Sequence, residues 1–365
     1  MTALALALAL AAGPGVRTSL PPAPVRLYQV AWQRPFVAQK PLEWKPEERG
    51  GIAVDQATKL VLFGTRDGWF HAVRPDGTLA WEFRGEGGPF GPPAVDGDTV
   101  YVGSTDGRLY AISIPTGKER WRYRTEEDLS TRPAVAKGLV FVASQEDTLF
   151  CVEAATGAAK WHHRGEPTTT AAGFTIFGAA SAIAGQDIVY ASHSDGFAAA
   201  IDPEAGATRW KKMLAPASGN LDVDGLALDG GRLYAAAYSG AVLAVDARTG
   251  DVVWKANAPG ASRVTTAAGL VVAVTTTSVL ALSAADGSPV WKVPMRGAPT
   301  GDPVAAGKWL LVPTGEQGLL WLETATGRTL RVFDPGSGVS ASPAVAGRRV
   351  YVLSNGGDLY ALDIT

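Results

Sequence analysis

The 365-residue sequence has very little cysteine, methionine or histidine, with one, three and four copies respectively. The lone cysteine, Cys151, excludes an intrachain disulfide and a zinc site built from several cysteines. It leaves the cellular compartment open, because a cytosolic protein and an envelope protein with a large core can both do without disulfides.

The sequence also lacks a strong charge of one sign and long apolar runs. Its net charge is −2, and no basic stripe follows any segment, so we expect no nucleic-acid partner. No stretch approaches the roughly 18–20 apolar residues of a membrane-spanning helix, so we expect no transmembrane span.

An apolar run at the N-terminus, residues 4–12, is too short to cross a bilayer. It is typical of the central part of a secretory signal, and Ala9 to Ala11 suit a small-residue cleavage site, although no Lys or Arg precedes the run. The alternative is an Ala/Leu-rich helical tail without a targeting role. We expect residues 1–24 to be a signal-like, flexible segment and residues 25–365 to form one domain.

Glycine and proline are abundant, with 43 and 24 copies, and 46% of the residues are hydrophobic. Helix-period apolar stretches are missing after about residue 15, a pattern that favours many short strands joined by tight turns. The hydrophobic residues are spread evenly along the chain, which excludes a disordered protein.

A repeat dominates the sequence. In six units a Gly is followed four residues later by a Trp, and the list is Gly77/Trp81, Gly117/Trp121, Gly157/Trp161, Gly206/Trp210, Gly250/Trp254 and Gly287/Trp291. Trp offers a large apolar face and one N–H donor, which suits a side chain wedged between neighbouring repeats. We therefore expect these tryptophans to dock adjacent blades of a β-propeller.

The last two units depart from the repeat. The seventh keeps Gly327 but has Arg331 in place of Trp, which indicates either a degenerate blade or a face that a partner covers. The eighth stops at Thr365 without its Trp-bearing strand, whereas residues 28–34, with Trp32, resemble such a strand at the other end of the chain. The sequence thus predicts an all-β, eight-bladed β-propeller of four-stranded antiparallel blades, closed by an N-terminal strand.

The unit from Ala244 to Trp254 reads Ala-Val-Asp-Ala-Arg-Thr-Gly-Asp-Val-Val-Trp. It resembles the quinoprotein-type, or PQQ-like, propeller repeat, and the resemblance extends over about residues 25–365. Within that group, length and blade count most resemble the BamB family of the outer-membrane barrel-assembly machinery. The segment Asp222-Val-Asp224 before a well-kept blade is similar to a family segment that meets the partner BamA.

Two departures from the BamB family stand out. That family begins its mature chain with a lipidated Cys, whereas no Cys lies near Ala11 or Gly13, so a lipid anchor is not supported. The family also carries a partner-contacting loop that corresponds to Arg164 and the residues after it. The spacing from Trp161 to Trp210 is 49 residues, against 40 for the two intervals before it, so that loop is either a binding insertion or a tolerated surface insertion.

Few residues in the sequence are candidates for catalysis or metal binding. The histidines are His71, His162, His163 and His193. His162 and His163 are adjacent, so their side chains point to opposite faces of a strand and cannot bind the same metal ion. Asp222 and Asp224 lack the further oxygen ligands of a calcium loop, so a turn or a protein contact explains them better. With no nucleophile-elbow or Walker-type motif either, we expect no catalytic residue, no metal site and no cofactor.

Three functions remain open. The first is a non-enzymatic, exported scaffold at the periplasmic face of the outer membrane, a monomer within a complex that binds a BamA-like partner and assists outer-membrane protein assembly. The candidate partner-binding residues are Arg164, Asp222 and Asp224. The second is a ligand-sensing or general protein-interaction propeller. The third is a PQQ-dependent dehydrogenase, but the vicinal disulfide of such enzymes is excluded by the single cysteine.

Overall fold

A computed structural model describes residues 27–38, 47–165, 168–169, 175–176, 182–193, 195–215, 223–296 and 300–365. The described residues contain β-strands and no helix. The first strand is β1 (Tyr28–Pro35). Blade 1 contains β2 (Ile52–Val54), β3 (Val61–Gly64), β4 (Trp69–Val73) and β5 (Leu79–Arg84). Blade 2 contains β6 (Ala94–Asp96), β7 (Thr99–Gly103), β8 (Arg108–Ser113) and β9 (Glu119–Arg124).

Blade 3 contains β10 (Ala134–Ala136), β11 (Leu139–Ala143), β12 (Thr148–Glu153) and β13 (Ala159–Arg164). A separate hairpin follows, formed by β14 (Thr168–Thr169) and β15 (Thr175–Ile176). Blade 4 contains β16 (Ile183–Ala184), β17 (Val189–Ser192), β18 (Phe197–Ile201) and β19 (Thr208–Met213). Blade 5 contains β20 (Val223–Asp229), β21 (Arg232–Ala237), β22 (Ala241–Asp246) and β23 (Val252–Asn257).

Blade 6 contains β24 (Ala261–Ala267), β25 (Leu270–Thr275), β26 (Ser278–Ser283) and β27 (Pro289–Pro294). Blade 7 contains β28 (Val304–Ala306), β29 (Trp309–Thr314), β30 (Gly318–Glu323) and β31 (Thr329–Phe333). Blade 8 contains β32 (Ala344–Ala346), β33 (Arg349–Leu353) and β34 (Asp358–Ile364), and its fourth strand is β1. The predicted eight-bladed propeller with an N-terminal closing strand is therefore confirmed.

The eight blades form a closed ring. The first strand of each blade contacts the first strands of both neighbouring blades, and β2 also contacts β32, so the circle has no gap. Each seam between neighbours holds its own apolar cluster, supplied mainly by the second and third strands, which are almost fully buried. Valine, alanine, leucine and aromatic side chains fill these seams because a buried strand favours branched and aromatic residues.

The fourth strand of every blade contains a β-bulge at the residue before the repeated Trp position. In blade 5, for example, Ala244 pairs with Trp254 and Val245 pairs with Val252, so Val253 has no partner. Bulges on an edge strand discourage pairing with other chains. The rim of the propeller is thus protected in all eight blades.

Seven tryptophans, Trp32 and the six of the Gly-to-Trp units, connect neighbouring blades at seven of the eight seams. Each donates its Nε1–H to a backbone carbonyl of the following blade, and the pairs are Trp32 to Pro75 (2.8 Å), Trp81 to Ile114 (2.7 Å), Trp121 to Ala154 (2.9 Å), Trp161 to Pro203 (2.9 Å), Trp210 to Ala247 (3.1 Å), Trp254 to Ala284 (3.1 Å) and Trp291 to Thr324 (2.9 Å). Each indole also lies against the repeat glycine of that next blade.

The seam between blades 7 and 8 is built differently. Here Leu27 and Thr365, the two ends of the propeller, lie where the other blades have a glycine turn, and Thr365 N–H donates to the carbonyl of Leu27 at 3.1 Å. A docking Trp would have no glycine to pack on, and the exposed Arg331 stands in its position. Trp321, which pairs with Arg331 across the blade, is fully buried and stacks on Tyr28 at 5.0 Å between ring centres. Arg331 covers the same Tyr28 ring.

The two faces of the ring carry different connections. Because strands alternate in direction, turns from first to second and from third to fourth strand lie on one face, which we call the turn face. Turns from second to third strand, and the links from one blade to the next, lie on the other, the loop face. The longest connections in the chain, including the one with β14 and β15, are blade-to-blade links and belong to the loop face.

Candidate functional site

A central cavity of about 1310 Å³ opens on the loop face. Its wall is apolar at blades 4 to 6, where Ile183, Leu226, Leu228 and Val264 line it. The lining as a whole also includes four arginines and four carboxylates, which are Arg49, Arg66, Arg132, Arg263, Glu47, Glu48, Asp128 and Asp302. The equal numbers of positive and negative groups leave the cavity without a strong field of one sign.

Two of the cavity arginines connect neighbouring blades. Arg132 Nη1 donates to the carbonyl of Pro93 at 3.3 Å, which joins blade 3 to blade 2. Arg263 Nε lies 3.5 Å from a carboxylate oxygen of Asp302, which joins blade 6 to blade 7. These side chains therefore hold the inner ring together as well as line the cavity.

A buried ion pair joins blades 1 and 8 at the cavity wall. Glu48 has no exposed surface, and its carboxylate accepts hydrogen bonds from the backbone N–H of Arg66 at 2.8 Å and from the Arg66 guanidinium. The backbone N–H of Glu48 donates to Asn355 Oδ1 at 3.2 Å. Burial raises the pKa of Glu48 to about 7, and the hydrogen bonds from Arg66 oppose that rise. No sequence pattern pointed to Glu48, which lies outside the repeat in the link between β1 and β2.

Two of the three predicted partner-binding residues, Arg164 and Asp224, lie on strands that end or begin at the loop face. Arg164 ends β13 on that side and is half exposed, with Glu127 and Glu146 at 3.5 and 4.0 Å. Asp224 follows the first residue of β20, which starts from the loop face. Asp222 lies outside the described residues. Whether these three residues meet one partner therefore stays a prediction.

The four histidines occupy three environments. His162 is exposed on β13, while His71 is buried against Phe36 and Phe63, and burial lowers its pKa to about 4. His163 lies against His193 from the next blade, with 5.2 Å between ring centres. Sequence reasoning considered only His162 and His163 together, because nothing in the spacing indicates a contact between residues of different blades.

Cys151 and the remaining titratable groups suggest no reactive centre. The Cys151 thiol is buried, and burial raises its pKa to about 12, so it stays protonated and unreactive. Among the described residues, no three side chains of His, Cys, Asp or Glu are grouped so that they could hold a metal ion. Within the same ranges, no helix is suitable for crossing a membrane.

Comparisons with solved structures agree on the propeller fold. BamB from Moraxella catarrhalis has a TM-score of 0.77 at 22% identity, over 92% of this chain and 100% of that chain. A europium-containing methanol dehydrogenase has a TM-score of 0.76 at 14% identity, over 92% of this chain and 93% of that one. Quinohemoprotein alcohol dehydrogenase ADHIIG from Pseudomonas putida HK5 has a TM-score of 0.73 at 14% identity, covering 93% and 76%. At these identities the likeness concerns the fold alone.

The sequence itself identifies the family. No curated protein matches the chain. The family described as outer membrane protein assembly factor BamB matches residues 66–293 and 275–365, which together include most of the propeller. The chain belongs to that BamB family.

Proposed function

We propose that the protein is a non-enzymatic scaffold of the cell envelope, located in the periplasm or at the periplasmic face of the outer membrane. In this role it binds a BamA-like barrel-assembly partner through its loop face and assists outer-membrane protein assembly. The observation that carries the proposal is the family match over residues 66–293 and 275–365. The signal-like residues 1–24 support export.

The geometry of the ring favours the loop face for partner binding. Binding residues concentrate on loops that a rigid scaffold positions, and the long connections of this propeller share one face. The candidate residues Arg164 and Asp224 lie on strands that end or begin at that face. The turn face has only short turns, most of which contain a glycine, and they offer little adaptable surface.

The partner proposal is tested by affinity capture from cells at native expression. We expect a BamA-like outer-membrane protein to co-purify, and deletion of the gene to lower the amount of barrel proteins in the outer membrane. The variants Arg164→Glu and Asp224→Lys should reduce capture at least about tenfold, since charge reversal in an interface commonly costs more than 1.4 kcal/mol. Capture without such a partner would contradict the proposal.

Matched controls come from the turn face. Arg248 is exposed in a turn of blade 5, and Asp251 is largely exposed beside it. Arg248→Glu and Asp251→Lys change the net charge as the test variants do, but on the opposite side of the ring. If these controls weakened capture as much as Arg164→Glu, the effect would come from net charge and the loop-face assignment would be wrong.

A second candidate function follows from the shared fold. Quinoprotein dehydrogenases have the same propeller architecture as this chain, and the cavity of about 1310 Å³ occupies the ring centre. Titration of the purified protein with PQQ and calcium, followed by a dye-coupled alcohol oxidation assay, distinguishes a dehydrogenase from a scaffold. Saturable binding with turnover would replace the scaffold proposal.

A further inference from the structure

The first strands of blades 5 and 6 are longer than those of the other blades. β20 (Val223–Asp229) and β24 (Ala261–Ala267) have seven residues each. The described first strands of the remaining six blades have two or three residues. Blades 5 and 6 therefore have the longest inner strands of the described ring.

The central cavity follows these two strands. In blades 1, 2, 3, 7 and 8 the residues that line the cavity lie in links and turns outside the first strands. Along β20 and β24, by contrast, residues 225–228 and 262–266 line the cavity directly, and Ile183 of β16 adds to this wall. The cavity therefore extends along the inner sides of β20 and β24.

The side of β20 toward the cavity is an unpaired strand edge. β20 pairs with β21, and no other described strand pairs with it. The two strands are joined by a two-glycine turn with positive φ at both residues, and Asp229 pairs with Arg232. The pair that closes such a turn is hydrogen-bonded, and bonded pairs alternate along an antiparallel ladder. The N–H and C=O groups of Leu226 and Leu228 therefore point away from β21, toward the cavity.

β24 lies beside β20 and has the same geometry. Its turn to β25 also has positive φ at both residues, and Ala267 pairs with Leu270, so Val264 and Thr266 direct their backbone groups toward the cavity. The free groups of each strand recur at every second residue, which is roughly 7 Å along the strand. That spacing matches the main chain of another extended segment, and an unpaired edge is a template for such pairing.

We propose that the free edge of β20 binds an extended polypeptide segment by strand addition within the central cavity. In this mode of recognition main-chain hydrogen bonds supply the affinity, and the surfaces that meet alternate side chains supply the selectivity. The wall beside the free edge is apolar, since Ile183, Leu226, Leu228 and Val264 line it. The bound segment therefore carries apolar side chains at alternate positions.

The charged part of the cavity lining indicates what the remaining side chains of the segment are. Its arginines and carboxylates are equal in number, so the lining does not select for one sign of charge and suits neutral polar side chains. Alternating apolar and polar residues are typical of the strands of membrane β-barrels. The substrate class is thus an unfolded barrel segment. This identification rests on the proposed function, whereas the strand addition rests on the geometry of β20.

The first experiment titrates a synthetic seven-residue peptide, as long as β20, into the purified full chain. Valine alternates with threonine and glutamine in this peptide, and both of its ends are blocked. Amide hydrogen exchange, followed by NMR, should slow at least about tenfold at Leu226 and Leu228, because their N–H groups gain acceptors. The amides of Ala227 and Asp229, which already face β21, are the internal control and should not change. No change at Leu226 and Leu228, or an equal change at all four amides, would overturn the proposal.

Two methylated peptides test whether the main chain of the segment is recognised. Each carries N-methyl groups at every second residue, one peptide on the valines and the other on the polar residues, so each blocks one edge of the added strand. One of them should bind at least about tenfold more weakly than the unmodified peptide, and the other should bind as the unmodified peptide does. Equal affinities of the two methylated peptides would contradict strand addition.

Variants of the chain separate this site from the rest of the ring. Leu228→Glu places a charge in the apolar wall and should weaken peptide binding at least about tenfold. Val135→Glu is the matched control, because Val135 has the same position in the first strand of blade 3, is likewise half-buried and does not line the cavity. An equal loss in both variants would contradict the site. Leu228→Glu should leave capture of the BamA-like partner unchanged, so each proposal can fail while the other holds.

Discussion

At the scale of single residues, the repeat glycine and the repeat tryptophan are two halves of one contact. Gly157 has a φ of 73°, a conformation that residues with a Cβ rarely adopt, and it lies on the Trp121 indole of the preceding blade. The glycine thus satisfies two requirements at once, because the turn needs a left-handed backbone and the indole needs space. This explains why the Gly and Trp positions recur together along the chain.

Substitution of Gly157 should destabilise the protein in two ways, through backbone strain and through a clash with the Trp121 indole. In Gly157→Ala the new Cβ would lie 2.5 Å from Trp121, and the backbone would be strained as well. We expect a loss of about 2–4 kcal/mol in the free energy of unfolding, measured by urea titration. Gly138→Ala is the matched control, because Gly138 has a φ of 70° but open space around its Cβ position. It should cost only about 1 kcal/mol, and an equal loss in both variants would contradict the packing argument.

The buried side chain of His71 makes the stability of the protein depend on pH. Its pKa is about 4 in the folded protein because it is buried, against 6.5 when exposed. Between these values the unfolded chain binds the extra proton, so His71 contributes a stability that is complete above pH 6.5 and is lost as the pH falls toward 4. The loss is on the order of 3 kcal/mol.

The measurement compares wild type with His71→Phe by denaturant unfolding from pH 4 to pH 7. Phenylalanine keeps the contacts with Phe36 and Phe63 but cannot bind a proton. The difference in unfolding free energy between the two proteins should change by about 3 kcal/mol across that range, in favour of the variant at low pH. A constant difference would show that His71 does not titrate in this window.

At the scale of elements, the closing strand β1 is the part of blade 8 that lies farthest away in sequence. It pairs antiparallel with β34 along nearly its whole length, from Tyr28 opposite Ile364 to Pro35 opposite Asp358. It also supplies Trp32, which donates to the carbonyl of Pro75 in blade 1. Without β1, both the edge of β34 and the seam to blade 1 would be exposed.

Deletion of residues 1–38 should therefore destabilise the whole ring and expose an edge that promotes association. We expect oligomers or aggregates in size-exclusion chromatography and a lower midpoint of thermal unfolding. A deletion of residues 1–24, which leaves β1 in place, is the control and should behave as the full chain does. A synthetic peptide of residues 27–38 should restore the monomer. Unchanged behaviour of the longer deletion would argue against closure by β1.

The sequence predicted the blades and their closure because both rest on local, repeated patterns. The count of eight blades followed from the six Gly-to-Trp units together with the seventh unit, with Gly327, and the eighth, which ends at Thr365, and the isolated Trp32 indicated the closing strand. What the sequence did not predict depends on contacts between non-equivalent elements. His163 meets His193 across two blades, and Glu48 is buried by Arg66 and Asn355 although its own segment has no pattern. Such contacts are set by the ring as a whole.

At the scale of the whole molecule, the ring separates a turn face from a loop face, and the first and last residues of the propeller meet at one seam. Thr365 donates to Leu27, so the two ends of the propeller are already in contact. A circular permutant that joins residues 365 and 27 through a glycine-containing turn, with new ends in another turn-face turn, should fold to the same ring. Its unfolding free energy should stay within about 1 kcal/mol of the full chain, measured by urea titration. A much larger loss would mean that residues 27 and 365 cannot be joined without disturbing the seam between blades 7 and 8.

The seam between blades 7 and 8 has a consequence for how the repeats can vary. No glycine turn lies opposite Arg331, and the indole of Trp321 on the adjacent strand fills the space beside Tyr28. The departure from the repeat at Arg331 thus coincides with the seam at which β1 closes the ring. In this ring, blade 7, which precedes the closing seam, lacks the docking indole on its fourth strand, and a bulky side chain on its third strand occupies the space instead.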